Sequence, residues 1–395
     1  MKFLKYIGYA FLSLLALLVT ALFLIPQPDK PAPTGVHTVG VTEFEVTEGN
    51  KWVVVTAWYP AKPSVSRHFL PYMAAYIAEA ISEKQKIPAS WLKDERPSFA
   101  SIDAKVISGR HPVLLFNHGF SSHAYQNLTQ MEELASHGYI VLSLSHPGHS
   151  VVTKRQNGDL VFQSIPLEPE YAPQRIAAMD RAAVSMRSSS TINDWIDATS
   201  PLEEGLFRNI PAYVDEWSEN NRRVIRALTR VNLGAISTPL KGHLDTESVG
   251  VFGHSFGGSV AADLAFSEPN IKAAMSLDSY VYTHSLQDTM KVPLCVAYGD
   301  VAEPPSDESM AWINQTLFET KAVSGSCEVL FVGAAHLNFS DLNHLPVGEF
   351  LGLTGSIDAD VMHQSSNQLL LSYFGHHLKG TPQVNDIEGV KMVVY

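Results

Sequence analysis

The chain has 395 residues, enough for one large α/β domain with insertions or for two smaller domains. Hydrophobic residues make up 45% and charged residues 17%, which excludes a disordered chain. Lys and Arg number 28 against 40 Asp and Glu, a formal net charge of −12 without basic blocks, so nucleic acid is not an expected partner.

Residues 8–25 are apolar and uncharged, with Lys2 and Lys5 before them and Pro26, Pro28, Pro31 and Pro33 in the linker behind. The run is long enough to span a bilayer. The leading lysines put the N-terminus in the cytoplasm and the rest of the chain outside it. Residues 1–34 are therefore expected to be an uncleaved membrane anchor with a Pro-rich linker. A cleaved signal peptide with a secreted product is the alternative; Leu22 to Pro26 lacks the small residues such a cut needs. In both readings residues 35–395 work in the periplasm or extracellular space.

Val39–Val46 and Trp52–Tyr59, joined by Glu48-Gly49-Asn50, predict a hairpin at the antiparallel edge of a larger sheet. Residues 68–93 predict an amphipathic helix and a turn at Pro88, with Met73, Tyr76, Ile77 and Ile81 at helical spacing. Its stripe packs on the domain, or else forms a flap or a membrane-facing surface. Pro112–Phe116 is a buried strand, followed by the loop Asn117-His118-Gly119-Phe120-Ser121-Ser122. A helix from Leu128 to Ser136 stops at Gly138, and Tyr139–Ser145 is the next strand, leading to His146-Pro147-Gly148-His149. Residues 166–247 form a helical insertion. Pro173–Met186 is one helix with proline in its first turn; Asp215–Val231 is another, with Trp217, Val224, Ile225 and Leu228 inward. These helices cover the sheet or build the rim of a pocket.

The most informative stretch is 248–260. Val249, Val251 and Phe252 lead into Gly253-His254-Ser255-Phe256-Gly257, and a small-residue helix follows. Gly-x-Ser-x-Gly between a strand and a helix is the nucleophile elbow of α/β-hydrolases. The turn forces strained angles on the serine, and side chains at the flanking glycines would collide with neighbouring elements. Strands follow at 272–277, 292–298 and 328–332, and a closing helix at 359–379. The expected fold class is α/β: an α/β-hydrolase fold with a mainly parallel central sheet, helices on both faces, and the helical insertion before the elbow. Cys295 and Cys327 make no metal motif; they lie in or beside strands that are plausible neighbours, so either a disulfide or two buried thiols fits.

A serine hydroxyl needs a base and the base needs an orienting acid, in the chain order Ser, Asp or Glu, His. His336 follows the last strand and is the expected base for Ser255. Asp278 and Asp300 each end a strand after the elbow, and position alone leaves the two even. Backbone N–H groups of Phe256 and Phe120 are the expected oxyanion donors. No metal or cofactor is called for.

Several segments together resemble one family. They are Trp58-Tyr59-Pro60, Leu114 to Gly119, Ala135 to Tyr139, Gly253 to Gly258, Leu277-Asp278 and His336-Leu337-Asn338-Phe339. The combination is similar to the plasma-type (lipoprotein-associated) platelet-activating factor acetylhydrolases and their bacterial relatives. The resemblance implies that Asp278 is the acid. It also implies a calcium-independent serine esterase for short or oxidised sn-2 acyl chains of phospholipids. Much of residues 166–247 has no counterpart in the resemblance. A general carboxylesterase, a polyester hydrolase or a dienelactone-hydrolase-like enzyme would keep the same triad, and a non-catalytic binding protein on this scaffold would be expected to lack a triad member.

Overall fold

In the computed structural model the described residues are 29–63, 68–165, 173–205, 208–287, 289–302, 306–345, 348–349 and 352–395. The N-terminal anchor expected over residues 8–25 lies outside them. Among the described residues no helix is long and apolar enough to cross a membrane. The chain docks onto the fold at Thr34 and Gly35, whose N–H groups donate to Glu133 Oε2 at 2.7 Å and Ser136 Oγ at 3.0 Å.

The β-branched and aromatic runs pair into one sheet. Its strands are β1 (Thr38–Glu48), β2 (Lys51–Ala61), β3 (Phe69–Met73), β4 (Asp94–Ile102), β5 (His111–Asn117) and β6 (Ile140–Ser145). A separate ribbon, β7 (Val152–Lys154) with β8 (Leu160–Phe162), precedes the remaining sheet strands: β9 (Leu244–His254), β10 (Ala273–Leu277), β11 (Leu294–Gly299), β12 (Cys327–Phe331) and β13 (Val390–Val394). The order across the 11-stranded sheet is β13-β12-β11-β10-β9-β5-β6-β2-β1-β4-β3. From β12 to β6 all neighbours are parallel. Strand β2 joins antiparallel to β6 and to β1.

Both faces of this sheet are covered, which is why β5 is a continuous apolar run rather than an alternating one. Val113 and Leu115 enter one core with Trp217 and Val260, while Leu114 and Phe116 enter the other with Met131, Leu134 and Phe374. The first core is closed by α-helices before and after the elbow, the second by α-helices 128–136 and 359–374. In chain order the helices are α1 (Ala75–Gln85), α2 (Ala89–Leu92), α3 (Leu128–Ser136), α4 (Pro173–Arg187), α5 (Ile192–Glu204), α6 (Ile210–Leu233), α7 (Phe256–Ser267), α8 (Gln315–Lys321) and α9 (Ala359–Phe374). Helix α5 opens with a capping box, Thr191 and Asp194 each bonding the other's backbone N–H. Its Trp195 indole donates to the Ile313 carbonyl at 2.7 Å, fastening α5 to the segment before α8. Helix α6 buries Trp217, Val224 and Leu228 as expected, whereas Ile225 is only partly buried. It ends at Gly234, whose φ of 81° is the left-handed cap a Cβ would oppose.

Three details differ from the sequence reading. Residues 69–73 form strand β3 rather than the first turns of a helix, and α1 starts only at Ala75. Pro71 lacks the N–H a helix interior needs and is tolerated on the outermost strand. The β1–β2 hairpin forms the antiparallel side of the sheet, but β4 and β3 extend the sheet beyond it. At the opposite edge the C-terminal residues add β13 antiparallel to β12. Its pattern, half exposed on an edge, carries little periodic signal.

Candidate active site

The site forms where β5, β9, β10 and β12 end. At the end of β9, Ser255 has φ 56° and ψ −129°, the strained geometry of a strand-to-helix elbow. Its N–H donates to the Leu277 carbonyl at 2.9 Å, which ties the elbow to β10. The glycines on either side are sterically required. A Cβ on Gly257 would lie 2.0 Å from the Asn117 carbonyl oxygen, and one on Gly253 would lie 2.2 Å from the Gly257 oxygen. Helix α7 starts at Phe256, so its first N–H groups have no helical acceptor and its dipole is positive at the serine.

Asp278 follows β10, 6% exposed and with φ 49°. Its Oδ1 accepts the Gly299 N–H at 2.9 Å and its Oδ2 lies 2.7 Å from His336 Nδ1. A carboxylate can only accept, so Nδ1 carries the proton and Nε2 is left with a lone pair. Asp300 faces elsewhere: its Oδ1 accepts the Gly333 N–H at 2.6 Å, in the turn ahead of His336. The His336 turn is held by Asn338, whose Oδ1 accepts the N–H groups of Ala335 and Gly355 at 2.8 and 2.7 Å.

The loop after β5 passes over the serine. A Cβ on Gly119 would lie 3.3 Å from Ser255 Cβ and 3.7 Å from Oγ. His118 Nδ1 is 2.6 Å from the Gly119 carbonyl, so this nitrogen donates. Its Nε2 then accepts from Ser150 Oγ at 2.8 Å. Burial pushes the His118 ring down to about 4, which keeps it neutral. Beneath the loop, Asn117 and Asn221 exchange amide hydrogen bonds at 3.1 and 2.7 Å, and His146 Nε2 lies 3.1 Å from Asn117 Oδ1. The ring of Phe120 stands edge-on to Phe256 at 5.4 Å and stacks near Tyr213 at 6.0 Å and Trp217 at 6.3 Å. Helix α6 thus supplies the aromatic wall beside Phe120 and Phe256.

The sequence singled out Ser255, Asp278, His336, Phe120 and Phe256, and the fold brings these five into one region. It leaves Asp300 outside. Cys295 and Cys327 stand directly opposite each other on β11 and β12 and are bridged, with Cα atoms 4.4 Å apart. The polar layer of His118, Asn117, His146 and Asn221 escaped sequence reasoning, because a polar residue gives no sign of being buried until its partners are known. A second acidic group, Asp215 and Asp263 with His284, brings ligand-type atoms within 4.8 Å. Asp263 there already accepts from Ser218 Oγ at 2.6 Å and lies 3.8 Å from the Arg222 guanidinium, which supplies the positive charge a cation would bring.

A sequence profile of the family described as platelet-activating factor acetylhydrolase, isoform II, matches residues 24–187 and 219–390. The platelet-activating factor acetylhydrolase of Cavia porcellus is 21% identical over 307 residues, covering 74% of this chain and 61% of that protein. Those of Canis lupus familiaris and Bos taurus are 21% and 20% identical, each over 90% of this chain and 78% of the relative. The chain thus spans less than two thirds of the length of the guinea-pig relative. Among solved structures, a ferulic acid esterase from Streptomyces cinnamoneus superposes with a TM-score of 0.68 at 16% identity, over 93% of this chain and 100% of that one. That likeness is one of fold. The chain belongs to the platelet-activating factor acetylhydrolase, isoform II, family and has the α/β-hydrolase fold.

Proposed function

We propose that the chain hydrolyses carboxylic esters through an acyl-enzyme on Ser255, with short or oxidised sn-2 acyl chains of phospholipids as its substrates. The observation that carries the reading is the 2.7 Å contact of His336 Nδ1 with Asp278 at the sheet end that bears Ser255. In this mechanism the Ser255 hydroxyl attacks the ester carbonyl and His336 Nε2 takes its proton. Asp278 holds the imidazole in the tautomer that can accept and stabilises the imidazolium. The negative charge on the carbonyl oxygen meets the N–H groups of Phe256 and Phe120. Because the peptide unit is trans and planar, holding the Gly119 carbonyl toward His118 turns the Phe120 N–H to the opposite side. His336 then protonates the leaving alcohol, and water repeats the cycle on the acyl-enzyme.

Residues 35–395 act as the catalytic domain, with residues 166–247 as the insertion that shapes its pocket. Residues 1–34 tether it to a membrane, with the domain in the periplasm or outside the cell. A disulfide between β11 and β12 supports that compartment, because such bonds persist where thiols are not kept reduced. The test is turnover of phosphatidylcholines with a series of sn-2 chains, beside simple aryl and feruloyl esters. Turnover of acetyl and short oxidised sn-2 chains well above the simple esters supports the reading. Turnover confined to simple esters would instead assign a general carboxylesterase or polyester hydrolase with the same triad.

A further inference from the structure

The loop that carries Phe120 and the turn that carries His336 come from opposite sides of the elbow, and a single chain of hydrogen bonds joins them. The Gly119 N–H donates to Gln126 Oε1 at 2.8 Å. Gln126 Nε2 lies 2.6 Å from His254 Nδ1. His254 Nε2 lies 3.0 Å from the His336 backbone carbonyl. Both ends of the chain are backbone groups, so its direction is fixed. An N–H at Gly119 can only donate, which makes Gln126 Oε1 the acceptor and Nε2 the donor to His254. A carbonyl at His336 can only accept, so His254 Nε2 must carry the proton. Only one neutral tautomer of His254 satisfies both. Burial agrees: the ring is 2% exposed, and desolvation holds its pKa well below the ordinary value.

We propose that Gln126 and His254 are positioning residues that hold the oxyanion loop and the base turn in register with the nucleophile. His254 is joined to Ser255 by a peptide bond, so the chain runs through the elbow itself. Its ring also lies 4.5 Å from the His336 ring, 37° from parallel. With the Gly119 N–H committed to Gln126 and the Gly119 carbonyl to His118, both peptide planes around Gly119 are set. The Phe120 N–H is the next donor along and takes its aim from them. Packing alone would not require an ordered donor–acceptor sequence; fixing two loops to within about 0.5 Å does.

The proposal rests on the esterase reading, so the wild-type enzyme comes first. Failure of wild type to hydrolyse p-nitrophenyl acetate would count against that reading and not against this one. Given an active wild type, Gln126→Leu, His254→Phe and the double variant are measured for kcat, KM, melting, and affinity for an alkyl boronic acid, a mimic of the tetrahedral intermediate. Removing an oxyanion donor outright costs about 10²–10³ in kcat, so losing its alignment is expected to cost about 10–100-fold. KM should stay within about threefold, boronic-acid affinity should fall in parallel with kcat, and the double variant should be no worse than the poorer single one, since either change breaks the same chain. Gln126→Met and His254→Asn repeat the test where the first pair melts near assay temperature. Wild-type kcat in any folded variant, a loss in KM alone, or losses that multiply in the double variant would overturn the proposal. So would failure of all these variants to fold, which would make the pair structural.

Discussion

Asp278 and Asp300 are chemically alike, end neighbouring strands, and differ in what they hold. That difference makes a quantitative prediction. Asp278 serves two donors at once, the Gly299 N–H through Oδ1 and His336 Nδ1 through Oδ2. An asparagine there cannot serve both. If its carbonyl oxygen stays on Gly299, its NH₂ faces His336 Nδ1 and moves the imidazole proton to Nε2, where the serine proton must go. If the amide flips, its NH₂ opposes the buried Gly299 N–H and leaves a donor unsatisfied, at a cost of about 1–3 kcal/mol. The favoured orientation therefore carries the wrong tautomer. A loss of about 10⁴ in kcat is expected, equivalent to about 5 kcal/mol of transition-state stabilisation. Asp300 accepts the Gly333 N–H at 2.6 Å, and an asparagine oxygen can do the same. Asp300→Asn should stay within about threefold of wild type, the range expected when a neutral acceptor replaces a charged one. The assay is kcat/KM for p-nitrophenyl acetate on both variants, with melting curves as a control. A collapse in Asp300→Asn alongside near-normal Asp278→Asn would refute the assignment of the acid.

Gly257→Ala should lose most activity and melt earlier, because the new Cβ falls 2.0 Å from the Asn117 backbone and must displace the loop after β5; unchanged rates and melting would contradict the elbow geometry. Replacing Cys295 and Cys327 together by Ala should lower stability by up to about 4 kcal/mol for a closed loop of this length, read as a shift in denaturant midpoint, with little change in kcat. Two buried groups predict opposite pH windows. Burial lowers His118 to about 4, so its contribution to stability is present above about 6.5, the unfolded value, and is lost as pH falls toward 4. Burial raises Glu132 to about 8, so its contribution is present below about 4.3 and is lost as pH rises through 8. Glu132→Gln should therefore flatten the alkaline side of a melting-temperature profile and leave the acid side as it is.

The parallel strands and the elbow were legible because each is announced locally. A buried run such as Pro112–Phe116 or Val249–Phe252 has few structural options, and the glycines at 253 and 257 mark a turn no other residue could make. The place of His336 beside Asp278 was legible for a related reason, His336 being the histidine that directly follows the last parallel strand. The acid was not settled by position. Its identity depends on which strand end faces the histidine, and that is a property of the sheet order β12-β11-β10-β9 rather than of any local pattern. Residues 69–73 misled the helix reading because Met73, Tyr76, Ile77 and Ile81 keep helical spacing across the β3–α1 junction. Gln126 was invisible for a different reason. It lies in an irregular turn with no periodicity, and its role comes from a partner, His254, 128 positions further along the chain.

The central claim is that Ser255 is an activated nucleophile. Its most direct measurement is labelling of the native protein with a fluorophosphonate, followed by intact-mass and peptide mapping, because the probe reports activation without knowledge of the ester. The account predicts one adduct per chain, on Ser255, absent in Ser255→Ala and strongly slowed in Asp278→Asn. No adduct, or an adduct on another serine that persists in Ser255→Ala, would contradict it.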